Sequence, residues 1–123
     1  MAEILLIDDD PLEREMLGDL LAQLGHSVTA DKDGARALAR REDGLPVDVV
    51  VTDVLMPDMD GFELILALRE RRPEIPIVAM TGGGTWVKLD YLSIAHRLGA
   101  SEVLRKPFSR DEISVVLESL LAR

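Results

Sequence analysis

At residues 47 to 53 the chain reads Val47-Asp48-Val49-Val50-Val51-Thr52-Asp53, a run rich in β-branched side chains that ends in a carboxylate. β-branched residues favour strands, and a short, nearly continuous apolar run is typical of a strand buried on both faces. Residues 3 to 7 repeat the pattern, because Glu3-Ile4-Leu5-Leu6-Ile7 is followed at once by Asp8-Asp9-Asp10. Both runs therefore predict buried strands with acidic residues at their carboxyl ends.

Helical and extended segments alternate around these two strands. Asp10 and Pro11 begin a helix, Glu13 is placed to reach back to the free N–H groups at its start, and Gly25 ends it. The remaining pattern predicts strands near 27–30, 75–80 and 102–105, and helices near 34–41, 60–72, 89–98 and 109–121. Five strands alternating with five helices predict an α/β fold, in which helices cover both faces of a five-stranded parallel sheet.

Polar side chains follow four of the predicted strands. Asp8 and Asp9 follow the first strand, Asp53 the third, Thr81 the fourth and Lys106 the fifth. Ligands of open parallel sheets bind outside the carboxyl ends of the strands, so we expect these side chains to converge on one pocket. Neighbouring carboxylates repel one another unless they share a cation, and an all-oxygen site favours Mg²⁺. Since no His or Cys lies nearby in the pattern, zinc is not indicated.

The same side chains could support phosphoryl transfer. A carboxylate can attack phosphorus to give an acyl phosphate, and the equatorial oxygens of the transferred group then need cationic and hydrogen-bonding partners. Mg²⁺ could hold one oxygen, the Lys106 ammonium a second, and the Thr81 hydroxyl with a backbone N–H of the glycine loop the third. The sequence thus supplies each group that the reaction requires.

In four places the chain resembles the receiver domain of two-component response regulators, and the resemblance covers essentially the whole chain, residues 1–123, as one domain. The similar segments are Ile4-Leu5-Leu6-Ile7-Asp8-Asp9-Asp10-Pro11, Val51-Thr52-Asp53-Val54-Leu55-Met56-Pro57-Asp58-Met59-Asp60-Gly61, Met80-Thr81-Gly82 and Lys106-Pro107-Phe108. Each segment is a weak signal alone, whereas four in order at strand ends are specific. The resemblance implies a flavodoxin-like (βα)5 three-layer sandwich with strand order 2-1-3-4-5.

The resemblance also implies a role for each site residue. It makes Asp53 the phosphoacceptor, and Asp9 and the Leu55 backbone carbonyl direct Mg²⁺ ligands. Asp8 becomes a ligand through water or a pocket acid, and Thr81 with Lys106 the pair that senses the phosphoryl group. The Lys106–Pro107 peptide bond is expected to be cis, which proline makes accessible.

The chain departs from the family pattern at three positions. Receivers commonly carry Tyr or Phe three residues before the lysine, where this chain has Val103. An aromatic switch at that position is not available, which leaves Thr81 or the aromatics Trp86 and Tyr91. Two further positions, Leu55 and Gly83, carry no side chain that could orient an attacking water, so we expect a slowly hydrolysed acyl phosphate.

Composition and charge limit the partners. A net charge of -9 disfavours direct nucleic-acid binding, which depends largely on Lys and Arg. No cysteine is present, and no apolar stretch is long enough to span a membrane, so we expect a cytoplasmic protein. The expected phosphoryl donor is a sensor histidine kinase or a histidine phosphotransferase. Since the chain ends at Arg123, we expect a stand-alone monomer or weak dimer that signals through the face of the fourth helix, fifth strand and fifth helix.

Two other functions stay open at this point. The first is a phosphatase that forms an aspartyl phosphate and turns over many times. Such enzymes need a second aspartate two residues after the nucleophile as general acid, and Leu55 stands there. The second is a binding module with the same fold that acts without phosphorylation. The absence of Asp53 or Lys106 from the sequence would indicate such a binding module, and both residues are present.

Overall fold

The computed structural model describes residues 2–42, 44, 46–54, 61–82 and 96–122. Its centre is a five-stranded parallel sheet of order β2-β1-β3-β4-β5. The strands are β1 (Glu3–Ile7), β2 (Ser27–Asp31), β3 (Val49–Asp53), β4 (Ile77–Gly82) and β5 (Glu102–Lys106). The predicted α/β class and the strand order 2-1-3-4-5 are confirmed.

Helices cover the sheet on both faces. They are α1 (Pro11–Gln23), α2 (Gly34–Glu42), α3 (Gly61–Arg71) and α4 (Arg110–Leu121). Residues 96–98 are also helical, while the rest of the helix predicted near 89–98 lies outside the described residues. None of the helices in the described ranges combines the length and apolar character needed to cross a membrane.

Two apolar clusters, one on each face, hold the three layers together. Leu5 and Ile7 of β1 pack with buried residues of α2 and α3, whereas Ile4 and Leu6 pack with buried residues of α1 and α4. Successive side chains of a strand point to opposite faces, so one continuous apolar run supplies both clusters. This double burial explains why β1 and β3 read as nearly continuous apolar runs in the sequence.

The third and fourth strands begin two residues later than the sequence pattern predicts. β3 begins at Val49 because Asp48 is occupied with the start of β1: its carboxylate accepts the Glu3 N–H at 2.8 Å, and its own N–H donates to the Glu3 carbonyl at 2.7 Å. β4 begins at Ile77, directly after Pro76, which has no N–H to donate to a ladder.

The start of α1 differs from the prediction in one respect. Asp10 caps the helix as expected, since its carboxylate accepts the N–H groups of Leu12 and Glu13 at 2.9 and 3.2 Å. The expected return bond from Glu13 to the cap is wrong, because the Asp10 N–H donates to Asp8 Oδ1 at 3.0 Å. Glu13 instead contacts Lys106 across the edge of the sheet.

Arg69, near the end of α3, ties together the edge of the sheet opposite the strand carboxyl ends. Its guanidinium donates to Ser101 Oγ and to four backbone carbonyls, those of Arg72, Pro73, Ile75 and Gly99. Gly99 has φ +124°, and a Cβ there would lie 2.7 Å from Arg69 Cγ. The glycine therefore allows the arginine to approach the backbone before β5.

We expect Arg69→Ala to lower the free energy of unfolding by about 2–3 kcal/mol, because several carbonyls lose a charged donor and the site is only partly exposed. Urea denaturation followed by circular dichroism measures the change. Arg97→Ala is the matched control, since Arg97 is exposed and no hydrogen bond or ion pair joins it to the rest of the described chain. Equal stability of the two variants would contradict the role given to Arg69.

Candidate functional site

The register of β1 and β3 brings two carboxylates to one edge of the sheet. Ile7 pairs with Thr52, so the next residues, Asp8 and Asp53, end adjacent strands side by side. Both carboxylates are largely buried: Asp8 is fully inaccessible and Asp53 is 7% exposed. The parallel pairing of the two strands is thus what places two acidic groups in one small volume.

Lys106, at the end of β5, reaches across to this pair. Its Nζ lies 3.1 Å from Asp53 Oδ2 and 3.4 Å from Asp8 Oδ2. The lysine side chain is 14% exposed, so the ammonium is mostly withdrawn from water. The Lys106–Pro107 bond is cis, as the family resemblance implies. Three side chains expected to converge from distant parts of the sequence therefore meet.

The electrostatics of the cluster reflect an excess of negative charge. Burial raises the pKa of Asp8 and the charges of Asp53 and Glu13 add to it, while the Asp10 N–H and Lys106 oppose the rise. Burial alone would lower the pKa of Lys106, but Asp53, Glu13 and Asp8 outweigh burial and raise it. Lys106 is therefore a fixed cation that several carboxylates share.

Two residues of α1 belong to the site although the sequence did not single them out for it. Glu13 Oε1 lies 3.1 Å from Lys106 Nζ, and Arg14 Nη1 donates to the Asp8 carbonyl at 2.8 Å. A helix that begins directly after the acidic triplet has its first turn beside the pocket, and that was the available signal. The sequence indicates Glu13 only as a cap residue, because the direction in which its side chain leaves the helix does not follow from the pattern.

The other predicted site residues are placed as follows. Thr81 is 5% exposed, and its hydroxyl has no hydrogen-bond partner among the described residues. Asp9 is exposed and stands outside the group of carboxylates that lie close together. Leu55, with its backbone carbonyl, lies outside the described residues. Val103 is partly buried and packs against the apolar cluster on the α2 and α3 face.

The donor atoms fit a hard divalent cation. Oxygens of Asp8, Glu13 and Asp53 lie within 4.8 Å of one another. All are carboxylate oxygens, and with the Lys106 ammonium they leave two formal negative charges. Mg²⁺ is typically bound in this way, through one or two carboxylates together with water and substrate phosphate. The described part of the chain thus holds an acidic group with the chemistry and charge for such an ion.

Comparisons with known proteins identify the family of the chain. The family model described as "Response regulator receiver domain" matches residues 4–118. Among curated proteins, the transcriptional regulatory protein FixJ of Bradyrhizobium diazoefficiens is 37% identical over 118 residues, which cover 96% of this chain and 56% of FixJ. The probable transcriptional regulatory protein TcrX of Mycobacterium tuberculosis is 32% identical and covers 98% of this chain and 50% of TcrX. The chain spans about half the length of these curated relatives.

Solved structures give the same result for the fold. A response regulator receiver domain protein from Clostridium thermocellum superposes with a TM-score of 0.91 at 28% identity, covering 100% of this chain and 96% of that one. The receiver domain of NtrX from Brucella abortus gives 0.87 at 30% identity, covering 97% of this chain and 98% of that one. The similarity therefore extends over the whole sheet and the edge that carries the acidic cluster.

Proposed function

The chain belongs to the response regulator receiver domain family, and from this premise we propose that it accepts a phosphoryl group on Asp53 from a phosphohistidine of a partner protein. The partner is a sensor histidine kinase or a histidine phosphotransferase, and the reaction takes place in the cytoplasm with Mg²⁺. Thr81 and Lys106 bind the transferred group, and the result is a signalling state rather than a turned-over product.

The observation that carries this proposal is the contact between Asp53 and Lys106. A nucleophilic carboxylate at a buried strand end lies 3.1 Å from an ammonium. The Thr81 hydroxyl, which has no hydrogen-bond partner in the described part of the chain, adds a second group, because a buried polar atom without a hydrogen bond is unfavourable and a phosphoryl oxygen would satisfy it. Nucleophile, cation and hydroxyl together are what aspartyl phosphate formation needs.

The proposed phosphoryl transfer is a single displacement at phosphorus. An oxygen of the Asp53 carboxylate forms a bond to phosphorus while the P–N bond to the partner histidine breaks, and the electron pair of that bond returns to the imidazole. Lys106 neutralises charge that develops on the equatorial oxygens, and the Thr81 hydroxyl donates to another of them. The product is an acyl phosphate on Asp53 and a phosphate-free histidine.

The acidic residues would hold the metal that the family implies. Within the proposal, Asp9, Asp53 and the Leu55 carbonyl supply direct ligands, and Asp8 acts through water or as a pocket acid. When bound, Mg²⁺ supplies positive charge to the phosphoryl oxygens and relieves the repulsion among the carboxylates.

Output follows by contact with a downstream protein. The proposed surface comprises the helix predicted near 89–98, β5 and α4, which is the predicted fifth helix. Val115 of α4 is 64% exposed. FixJ and TcrX are named as transcriptional regulators and are about twice as long as the matched region. The stand-alone, 123-residue form and the monomer or weak dimer remain predictions.

The test is phosphorylation of the wild-type protein by acetyl phosphate, with intact-mass spectrometry as the measurement. With Mg²⁺ we expect a gain of one phosphoryl mass, and with a chelator in place of Mg²⁺ no gain. Borohydride reduction of the acyl phosphate followed by peptide mapping should locate the modification at Asp53. Modification without Mg²⁺, or at another residue, would contradict the proposal. No modification at all would favour a binding module that acts without phosphorylation.

A further inference from the structure

The ammonium of Lys106 is surrounded by as many carboxylates as it has N–H groups. A lysine ammonium has three donors, and oxygens of Asp53, Glu13 and Asp8 lie 3.1, 3.1 and 3.4 Å from Nζ. In the transition state of phosphoryl transfer Asp53 is still the attacking carboxylate, and the incoming oxygens also need this ammonium. One existing contact must then be given up before the phosphoryl group can bind Lys106.

The three carboxylates differ in what their release would require. The side chains of Asp8 and Asp53 are 0% and 10% exposed, so either would lose its cation inside the protein. The Glu13 side chain is 46% exposed and can turn into water, where its charge is solvated. Glu13 is therefore the carboxylate that can leave Lys106 at the lowest free energy.

Local geometry supports a dedicated role for Glu13. An acidic residue three positions after the N-cap residue of a helix commonly accepts a hydrogen bond from the backbone N–H of that cap residue. Glu112 does so with the Ser109 N–H at the start of α4. At the start of α1 the corresponding N–H, that of Asp10, donates to Asp8 Oδ1 instead. With that bond taken, the Glu13 carboxylate extends to the ammonium.

We propose that Glu13 is a positioning residue, which holds the Lys106 ammonium in the resting protein and cedes it to the phosphoryl group, so that it limits the rate of phosphorylation. The inference rests on the proposed function, since it concerns the same phosphoryl site. Glu13 acts against the incoming group in two ways: it occupies a donor of Lys106, and its charge repels the phosphoryl oxygens. Removal of its charge should thus accelerate phosphorylation, a direction that a merely structural residue would not produce.

The experiment compares Glu13→Gln with Glu15→Gln, which removes the same charge from an exposed position on α1. With acetyl phosphate and saturating Mg²⁺, we expect Glu13→Gln to be phosphorylated roughly three- to tenfold faster than wild type, the scale of a half-exposed ion pair together with lost repulsion. Glu15→Gln should stay within about twofold of wild type. Glu13→Asp keeps the charge but is shorter by one methylene group, and we expect an intermediate rate.

A second measurement needs neither metal nor phosphoryl donor. In chelator-treated protein, hydrogen exchange of the Lys106 ammonium can be followed by ¹⁵N NMR, with the signal assigned by its loss in Lys106→Met. We expect faster exchange in Glu13→Gln and no change in Glu15→Gln.

Each outcome decides between the possibilities. An unchanged or slower phosphorylation rate in Glu13→Gln, with wild type phosphorylated normally, would overturn the inference alone. A loss of Mg²⁺ affinity of more than about tenfold in Glu13→Gln, measured by calorimetry, would make Glu13 a metal ligand and would also overturn it. A wild-type protein that gains no phosphoryl group would overturn the proposed function, and the inference with it.

Discussion

Asp53→Asn is expected to abolish phosphorylation by acetyl phosphate and Mg²⁺ while leaving the protein folded. The amide has nearly the shape of the carboxylate, so the buried end of β3 keeps its packing. Its oxygen can still accept from Lys106, but it carries no negative charge and is a poor nucleophile towards phosphorus. Intact-mass spectrometry should show one phosphoryl group on wild type and none on the variant, and circular dichroism should show the same secondary structure.

Asp10→Asn is the control for the loss of a charge close to the site. Asp10 follows the acidic pair directly and caps α1, and asparagine caps helices about as well as aspartate. We expect this variant to be phosphorylated like wild type. Phosphorylation of Asp53→Asn at another carboxylate would refute the assignment of the acceptor. Loss of phosphorylation in Asp10→Asn as well would show that the overall charge of the pocket, rather than one nucleophile, governs the reaction.

The meeting of Asp8, Asp53 and Lys106 could be predicted because it depends on topology alone. Parallel strands place their carboxyl ends at one edge, and a polar residue directly after a buried run has little freedom in where it lies. The sheet order followed the family resemblance. Neither prediction needed the rotation of a helix or the conformation of a side chain.

The contact between Glu13 and Lys106 could not be predicted in this way. Its position in the first turn of α1 was readable, but two partners were available, the N–H of Asp10 and the ammonium of Lys106. The choice depends on Asp8, whose carboxylate accepts the Asp10 N–H and so removes the first option. A contact that is decided by competition among three side chains is a tertiary property, and no local pattern encodes it.

The predictions of where β3 and β4 begin were wrong for a related reason, since the strands start at Val49 and Ile77. Val47 and Ile75 continue the apolar runs, so the pattern extends each strand by two residues. Ile75 is buried in the core without belonging to β4, and its carbonyl accepts from Arg69 instead of a neighbouring strand. In the middle of a strand, a buried residue is also hydrogen-bonded to the neighbouring strands. At the end of a strand a residue can be buried without this pairing, because side chains compete for its backbone groups.

Lys106 also balances the negative charge of the pocket when no metal ion is bound. We expect Lys106→Met to lower the free energy of unfolding by about 3 kcal/mol in chelator, because three carboxylates within 4.8 Å of one another would lose their shared cation. Methionine preserves most of the length and apolar packing of the lysine stem. With millimolar Mg²⁺ the deficit should shrink to about 1 kcal/mol or less, since a bound cation replaces the missing charge and stabilises the fold by mass action. Urea denaturation in the two buffers measures both values.

The pH dependence and a matched lysine complete the test of this charge balance. Because the pKa of Asp8 is raised in the fold, the folded protein binds more protons than the unfolded chain between the unfolded and the folded pKa of this carboxyl, and the stabilisation by Asp8 is lost as pH rises through the folded pKa. Without Lys106 the rise in the pKa of Asp8 should be larger. The loss in free energy of unfolding caused by Lys106→Met in chelator should therefore become smaller as the pH is lowered from 7 towards 5.

Lys32→Met is the matched control, because it removes an exposed lysine and should change the free energy of unfolding by about 0.5 kcal/mol at most. If Lys106→Met in chelator were as stable as Lys32→Met, the carboxylates would not depend on this ammonium, and the electrostatic basis of the proposed site would fail.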